Sequence, residues 1–319
     1  GRLTIDDVHY VREGDTMTPA AETPFAADAT FGYKSSNLRD YILEKCPGRF
    51  TPEQLCSVSI GDIRVGGPSK VCERLLAAPK DGVVIVNAAA ESDMFVFAAG
   101  LLEAEKQGKR FLYRTGAAFV SCRLGIEGIE PLSMHDMKIE TEEGSSQAGG
   151  LIVAGSYVPK TTAQLASLRQ RRGDKLHVIE LDVEEMIGSA AAAEKVAEAA
   201  TREATKCIKK GEDVLVMTSR KLVTGKDGLE SLNIGATVAK ALVSVVENVE
   251  VRPRYLIAKG GITSSDAATK GLRMKRAMVV GQAAKGVPLW RCWEESSRFK
   301  GIPYVVFPGN VGTNDTLAE

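Results

Sequence analysis

The chain lacks the residue pairs that mark metal-bound and disulfide-rich proteins. Among its 319 residues only six are cysteine and three are histidine, and no two cysteines form a CxxC pair. Paired cysteines, or histidine and cysteine at short spacing, are the usual sign of a structural zinc site. We therefore predict free, mostly buried thiols in a reducing cytoplasm and no metal site.

The sequence also lacks an excess of charge and a long apolar run. Its 41 lysine and arginine residues balance 41 aspartate and glutamate residues, so nothing favours a nucleic-acid or membrane-surface partner. The longest apolar stretches fall well short of the roughly 20 residues of a membrane-spanning helix, and no signal peptide is visible. With 44% hydrophobic and 26% charged residues, the composition is that of a globular chain long enough for two domains.

The dinucleotide-binding and hydrolase sequence motifs are missing, and a segment similar to a P-loop lacks a glycine that the motif requires. No GxGxxG follows a predicted strand and no GxSxG occurs, which argues against a dinucleotide site and a hydrolase nucleophile. The segment GSYVPKTT (155–162) resembles a P-loop in outline, but Pro159 precedes Lys160 where a P-loop requires glycine. Proline has no N–H to offer a phosphate. Lys160 is then either a phosphate partner of another design or a solvated side chain.

What the chain does have is a regular alternation of strand and helix patterns. This alternation is typical of α/β proteins with mostly parallel sheets flanked by helices. Residues 137–150 are polar and end in EEGSSQAGG, which predicts a linker. We therefore predict two domains, 1–145 and 146–319, each with a mostly parallel sheet.

The predicted elements follow from apolar periodicity and capping signals. In the first half they are strands 3–5, 55–60, 82–87 and 111–113, helices 38–45, 68–78 and 94–107, and a polar loop at 9–19. In the second half they are strands 151–155, 176–181, 213–217, 255–258 and 304–307, and helices 161–171, 190–210, 235–248 and one that begins at Ser264 or Ser265.

Three strand ends in the second half carry groups suited to phosphate binding. A glycine pair or a hydroxyl after a strand lets backbone N–H groups and a helix dipole approach an anion. The carboxyl ends of parallel strands share one sheet edge, where ligands bind. An ordinary strand-to-helix turn explains the glycine pair equally well. The candidates are Ser156; Gly260, Gly261, Ile262, Thr263 and Ser264; and Gly309, Asn310 and Gly312.

In the first half two charged residues stand near predicted strand ends. Arg114, close to Gly116, is a candidate for binding an anionic substrate. Asp93 is a second substrate-binding candidate, although capping of the following helix is the simpler role for it.

Five segments taken together resemble the four-carbon acid sugar kinase family, in the same order and along nearly the whole chain. They are FGYKSSNLRD, FLYRTGAAFV, VAGSYVPKTTAQL, AKGGITSSDAATKG and PYVVFPGNVG. The resemblance implies an ATP-dependent kinase of a tetronate or 3-oxo-tetronate, with Mg²⁺, an N-terminal substrate domain and a C-terminal nucleotide domain. It also implies that Ser156, the loop 260–264 and the turn 309–312 contact ATP, and that Arg114 contacts the sugar acid.

Two departures from the family pattern affect the expected activity. The family begins with an ADDLTGA-like motif that is absent here, so we expect the chain to start inside the substrate domain and to lack the best candidate for the catalytic base. Ala118 stands where the family motif RTxxS has serine. No catalytic residue is therefore assigned.

Two other functions stay open beside the kinase. A non-catalytic nucleotide-binding module, or an inactive fragment of a larger polypeptide, would keep the same loops. A dehydrogenase would need the missing dinucleotide fingerprint. The expected partner is a small sugar acid, and a homo-oligomer is compatible with the sequence.

Overall fold

The computed structural model describes residues 1–28, 31–133, 147–221 and 223–319. They form two compact units, Gly1–Ile129 and Glu130–Glu319. Helices and strands alternate in both units, and the predicted α/β class is confirmed. Most of the predicted linker, residues 137–146, lies outside the described residues.

Three antiparallel strands open the first unit, so the prediction of a polar loop at 9–19 is wrong. They are β1 (Arg2–Ile5), β2 (Val8–Glu13) and β3 (Thr16–Pro19). Asp6 and Asp7 connect β1 to β2 with positive φ, as a type I′ hairpin requires. Most side chains of these strands are half-buried or exposed. Residues 9–19 therefore show no apolar run from which β2 and β3 could be predicted, whereas β1 matches the strand predicted at 3–5.

The rest of the first unit packs helices on a parallel strand pair. Strands β4 (Leu55–Val58) and β5 (Val83–Val86) pair in parallel. Residues 111–116 form no strand, so the strand predicted at 111–113 is wrong. The Tyr113 ring instead packs against the Phe119 ring, with centres 5.3 Å apart. The helices are α1 (Leu38–Lys45), α2 (Ile60–Arg64), α3 (Gly67–Leu76), α4 (Glu91–Lys106) and α5 (Ala117–Leu124).

A seven-stranded sheet forms the centre of the second unit. Its strands are β6 (Leu151–Ala154), β7 (Leu176–Leu181), β8 (Asp213–Thr218), β9 (Leu256–Lys259), β10 (Met278–Ala284), β11 (Val287–Arg291) and β12 (Tyr304–Phe307). The strand order is β10-β11-β12-β9-β6-β8-β7. The five strands from β12 to β7 run parallel, while β10 and β11 form an antiparallel edge hairpin that no sequence pattern predicts.

Helices cover both faces of this sheet. They are α6 (Pro159–Arg172), α7 (Val183–Gly188), α8 (Ala190–Lys209), α9 (Gly228–Asn248) and α10 (Gly261–Asp266), and a π-helical turn, Ala267–Gly271, follows α10. Alternate residues of β6 enter different cores because side chains alternate along a strand. Leu151 and Val153 pack with α8 and α9, whereas Ile152 and Ala154 pack with α6.

Helix α9 starts two turns before the predicted residue 235. The Asp227 carboxylate accepts from the backbone N of Glu230 at 2.8 Å and caps the helix there. Among the described residues, α9 is also long and apolar enough to cross a membrane by length and composition. In this unit its second half, with Leu242 and Val246 fully buried, forms part of the core.

Candidate functional site

The ends of three neighbouring parallel strands form the candidate site. Ala154 of β6 and Phe307 of β12 both lie opposite Lys259 of β9, so the loops that follow leave the sheet at the same edge. A Cβ built on Gly260 would lie 3.4 Å from the Ser156 Cβ, and one built on Gly309 would lie 3.4 Å from the Ser156 Oγ. Ser156 therefore touches both glycine turns, and the three predicted segments meet.

Gly260 makes the turn from β9 into α10. Its φ of +116° is a conformation that glycine adopts readily and other residues rarely do. Its N–H donates to the Phe307 carbonyl at 2.8 Å, and its own carbonyl accepts from the Ser264 N–H at 2.8 Å. No side chain caps α10, which leaves the first-turn amides at the site edge to other partners.

The prediction that this helix begins at Ser264 or Ser265 is wrong, because α10 already begins at Gly261. Ser264 lies inside the helix, buried, and its Oγ donates to the Ala258 carbonyl at 2.6 Å. Thr263 is buried beside Gly155 and Gly260, whereas Ile262 is 73% exposed. Ser264 thus fixes the loop to β9, the strand that precedes it.

Helix α6 anchors the third loop of the site, which follows β12 and contains Gly309. Thr161 Oγ1 donates to the Gly309 carbonyl at 3.1 Å, and Gln164 Nε2 donates to the carbonyls of Val311 and Thr313 at 2.9 and 2.7 Å. Thr161 and Gln164 are fully buried. The helix begins at Pro159, a favoured first position, two residues before the predicted start at Thr161. Asn310 and Gly312 lie exposed at the loop tip.

Lys259 is a buried cation that the sequence pattern did not single out. It is fully buried, its Nζ donates to the Pro308 carbonyl at 2.6 Å and lies 4.0 Å from the Phe307 ring centre. Burial, with a smaller contribution from Lys160, lowers the pKa of Lys259 to about 7. The sequence feature that could have identified it is a lysine between a buried strand and a glycine pair.

Arg220, two residues after β8, is a second cation that sequence reasoning missed. Its Nη2 donates to the Ser156 carbonyl at 2.6 Å and to Thr162 Oγ1 at 2.7 Å. Its Nε and Nη1 are buried and have no hydrogen-bond partner among the described residues. Burial also lowers the pKa of this guanidinium. Two buried, unsatisfied donors on a half-buried cation favour a negatively charged ligand nearby.

In the first unit the Asp93 carboxylate is hydrogen-bonded to neighbouring protein groups. The carboxylate accepts from Arg64 Nε and Nη2 at 2.7 and 2.9 Å, and from the backbone N of Ala89 and Ala90 at 2.9 and 3.0 Å. The Arg64 hydrogen bonds hold the pKa of Asp93 below its ordinary value against the opposing effect of burial. Arg114 is exposed and precedes α5, since the strand expected before it does not form.

Two family models match this chain. Residues 151–317 match the nucleotide-binding C-terminal domain, and residues 1–123 match the sugar-binding N-terminal domain. The first match alone spans more than half of the 319 residues. The chain belongs to the four-carbon acid sugar kinase family. In this family member, the three converging loops therefore all lie within the nucleotide-binding domain.

A solved structure with a TM-score above 0.5 shares the fold of this sugar kinase family member. A protein named "putative tRNA synthase" from Salmonella typhimurium LT2 has a TM-score of 0.63 at 15% identity, over 99% of this chain and 69% of that one. A domain of unknown function from Bordetella bronchiseptica, solved with citrate as a domain-swapped dimer, has a TM-score of 0.39 at 20% identity, over 99% and 66%. This chain thus spans about two thirds of the length of each. No curated protein matches it.

Proposed function

We propose that this protein takes part in the ATP-dependent phosphorylation of a four-carbon sugar acid, a tetronate or 3-oxo-tetronate, in the cytoplasm. The observation that carries the proposal is the meeting of Ser156 with the Gly260 and Gly309 turns at one sheet edge. Family membership supplies the sugar-binding and nucleotide-binding domains. The same loops would suit other nucleotides, so the choice of ATP is part of the proposal.

The loops offer ATP two kinds of donor. Gly260 and Gly261 carry no Cβ and let phosphate oxygens approach backbone amides closely. The hydroxyls of Ser156 and Thr263 lie beside the same turn. Asn310 and Gly312, at the tip of the third loop, would contact the rest of the nucleotide.

Positive charge for a triphosphate comes from beneath and beside these loops. Arg220 holds the Ser156 carbonyl and has two unsatisfied donors. Lys259 supports the Pro308 carbonyl at the base of the Gly309 loop. We expect a bound phosphate to attract a proton onto Lys259 near neutral pH, since an opposite charge favours the charged form.

A magnesium ion would fit this site only through hydroxyls and phosphates. The loops 155–162, 259–265 and 308–312 contain Ser and Thr hydroxyls but no carboxylate. Mg²⁺ in such sites is bound largely by substrate phosphates and water, with a Ser or Thr hydroxyl as one protein ligand in P-loop enzymes. Ser156 and Thr263 are the residues that would hold it, and it would neutralise charge on the transferred phosphate.

The sugar acid would bind in the N-terminal domain. Arg114 is exposed and could pair with the carboxylate of the acid in bidentate fashion. Asp93 already accepts four hydrogen bonds, so its proposed part in substrate binding is to hold Arg64 and the start of α4. The catalytic base stays unassigned.

A coupled assay of ADP release, with ATP and a panel of tetronates and 3-oxo-tetronates, tests the proposal. ADP release that requires an acid acceptor supports a kinase. Calorimetry that shows ATP binding without turnover would instead indicate a nucleotide-binding module. Absence of any ATP binding to the folded protein would refute the assigned site.

Glycine variants test the loop itself. In Gly260→Ala the positive φ is strained and the new Cβ meets Ser156 and Thr263 at 3.4 Å, so we expect ATP affinity to fall by about ten-fold or more, about 1.4 kcal/mol. The matched control is Gly235→Ala in α9, where an added Cβ meets nothing within 4 Å. It should bind ATP as the parent does.

A further inference from the structure

A histidine, a cysteine and a glutamate that are separate in sequence meet at the opposite end of the nucleotide domain's sheet. One ligand atom each of His177, Cys207 and Glu212 lie within 4.8 Å of one another. Spacing along the chain predicts no such cluster, because the residues belong to β7, to the last turn of α8 and to the turn before β8. Only the fold makes them neighbours.

The backbone holds two of these residues in place. The Cys207 carbonyl accepts from the N–H groups of Lys210 and Glu212 at 3.0 and 3.1 Å. Gly211, with φ of +88°, makes this return turn possible. The turn folds Glu212 back over the end of α8, and this brings its carboxylate beside the thiol.

Strand pairing supplies the third residue. Leu176 lies opposite Asp213 and His177 opposite Val214, so His177 stands near the start of β7, opposite the second residue of β8. Its Nε2 bonds to Glu203 Oε1 at 2.6 Å. Glu203 lies one helical turn before Cys207 on α8 and therefore on the same helix face.

We propose that His177, Cys207 and Glu212 bind a divalent ion of the zinc type, with Glu203 orienting the histidine ring. Imidazole nitrogen, thiolate sulfur and carboxylate oxygen are together the donor set that Zn²⁺ accepts. A carboxylate that fixes a ligand histidine through its other nitrogen is the common arrangement around zinc. Three protein ligands leave one position for water or an added ligand. On binding, the ion replaces the thiol proton, which passes to solvent.

The position points to a role other than phosphate transfer. The cluster lies at the amino ends of β7 and β8, whereas the loops proposed for ATP leave the carboxyl ends of β6, β9 and β12. The ion would tie α8 to β7 and to the turn before β8. Zinc would then raise the thermal unfolding temperature whether or not ATP is bound, so failure of this proposal and failure of the kinase proposal are distinguishable.

Cobalt titration tests the site directly. Metal-stripped protein, with its thiols kept reduced by a phosphine, is titrated with Co²⁺ and followed by absorbance. A near-ultraviolet thiolate-to-cobalt band that saturates at one equivalent and disappears on addition of Zn²⁺ supports the proposal. No band in the parent protein overturns it, and so does a band that survives in Cys207→Ser.

Ligand variants separate metal binding from folding. Cys207 is buried in the core, so its substitution could impair folding; His177→Gln and Glu212→Gln keep the thiol. We expect each to weaken Co²⁺ binding by about ten-fold or more, with unchanged circular dichroism. Equal affinity in both folded variants overturns the site. Cys46→Ser, a half-buried cysteine of the other unit, is the control and should keep the band.

Discussion

Lys259→Met tests how a buried amine makes stability depend on pH. In the folded chain the pKa of Lys259 is about 7 rather than about 10.5. Between these two values the unfolded chain holds a proton that the folded chain has released, so this residue makes stability rise with pH across that window. Below pH 7 Lys259 is protonated in both the folded and the unfolded chain. Burial of the charged amine then lowers the free energy of unfolding by its full amount.

The magnitude follows from the size of the pKa change. Each pKa unit corresponds to about 1.4 kcal/mol, and the side chain is fully buried. Over the whole window Lys259 therefore changes the free energy of unfolding by at most about 4 to 5 kcal/mol. Measurement between pH 7 and 9 covers about two of these units, so we expect a change of about 1 to 2.5 kcal/mol, since solvent penetration reduces it. At pH 9 the variant also loses the hydrogen bond to the Pro308 carbonyl, worth about 1 kcal/mol.

The stability difference between the two proteins should therefore narrow as the pH rises. Urea unfolding at pH 6, 7, 8 and 9 should show Lys259→Met as the more stable protein at pH 6, with an advantage that shrinks steadily as the pH rises to 9. Lys285→Met, at an exposed lysine in the β10–β11 turn, should follow the parent at every pH. If the parent and Lys259→Met curves stay parallel within about 0.5 kcal/mol, the assigned pKa and its cause are refuted.

Two further substitutions test contacts away from that amine. Gln164→Leu removes both hydrogen bonds to the third loop and should lower the free energy of unfolding by about 2 to 3 kcal/mol, measured with urea, whereas exposed Gln170→Leu on the same helix should change it little. Asp93→Asn breaks the buried side of the Arg64 pair and should cost about 1 to 3 kcal/mol at pH 7. Because the pKa of Asp93 is lowered, this cost should shrink as pH falls below about 4; a cost independent of pH would contradict the assignment.

Local patterns predicted most of the second unit. The run LIVA became β6, YVVF became β12, and 176–181 became β7 at its predicted bounds. These segments are buried, and apolar runs between turn residues are a strong signal. The edge hairpin β10–β11 gave no such signal, because much of β10 is exposed. Its register depends on pairing with a neighbouring strand.

The residue types at the strand ends also indicated where the glycine turns lie. Gly260 adopts the positive φ that its place after a buried strand suggests, and the three glycine- or hydroxyl-bearing strand ends could be identified one by one. That they meet follows from strand order, in which β9 lies between β6 and β12. Strand order depends on contacts between distant segments, so no single segment contains it.

The sequence by itself determined the α/β class, most core elements and the identity of the turn residues, because periodicity and glycine act over a few residues. Only the tertiary structure decided the states of the charged and metal-ligating side chains. Lys259 and Arg220 face the ends of neighbouring strands, and His177 meets Cys207 across a helix and a strand. Burial and partner atoms set their chemistry, and both come from residues brought together by folding.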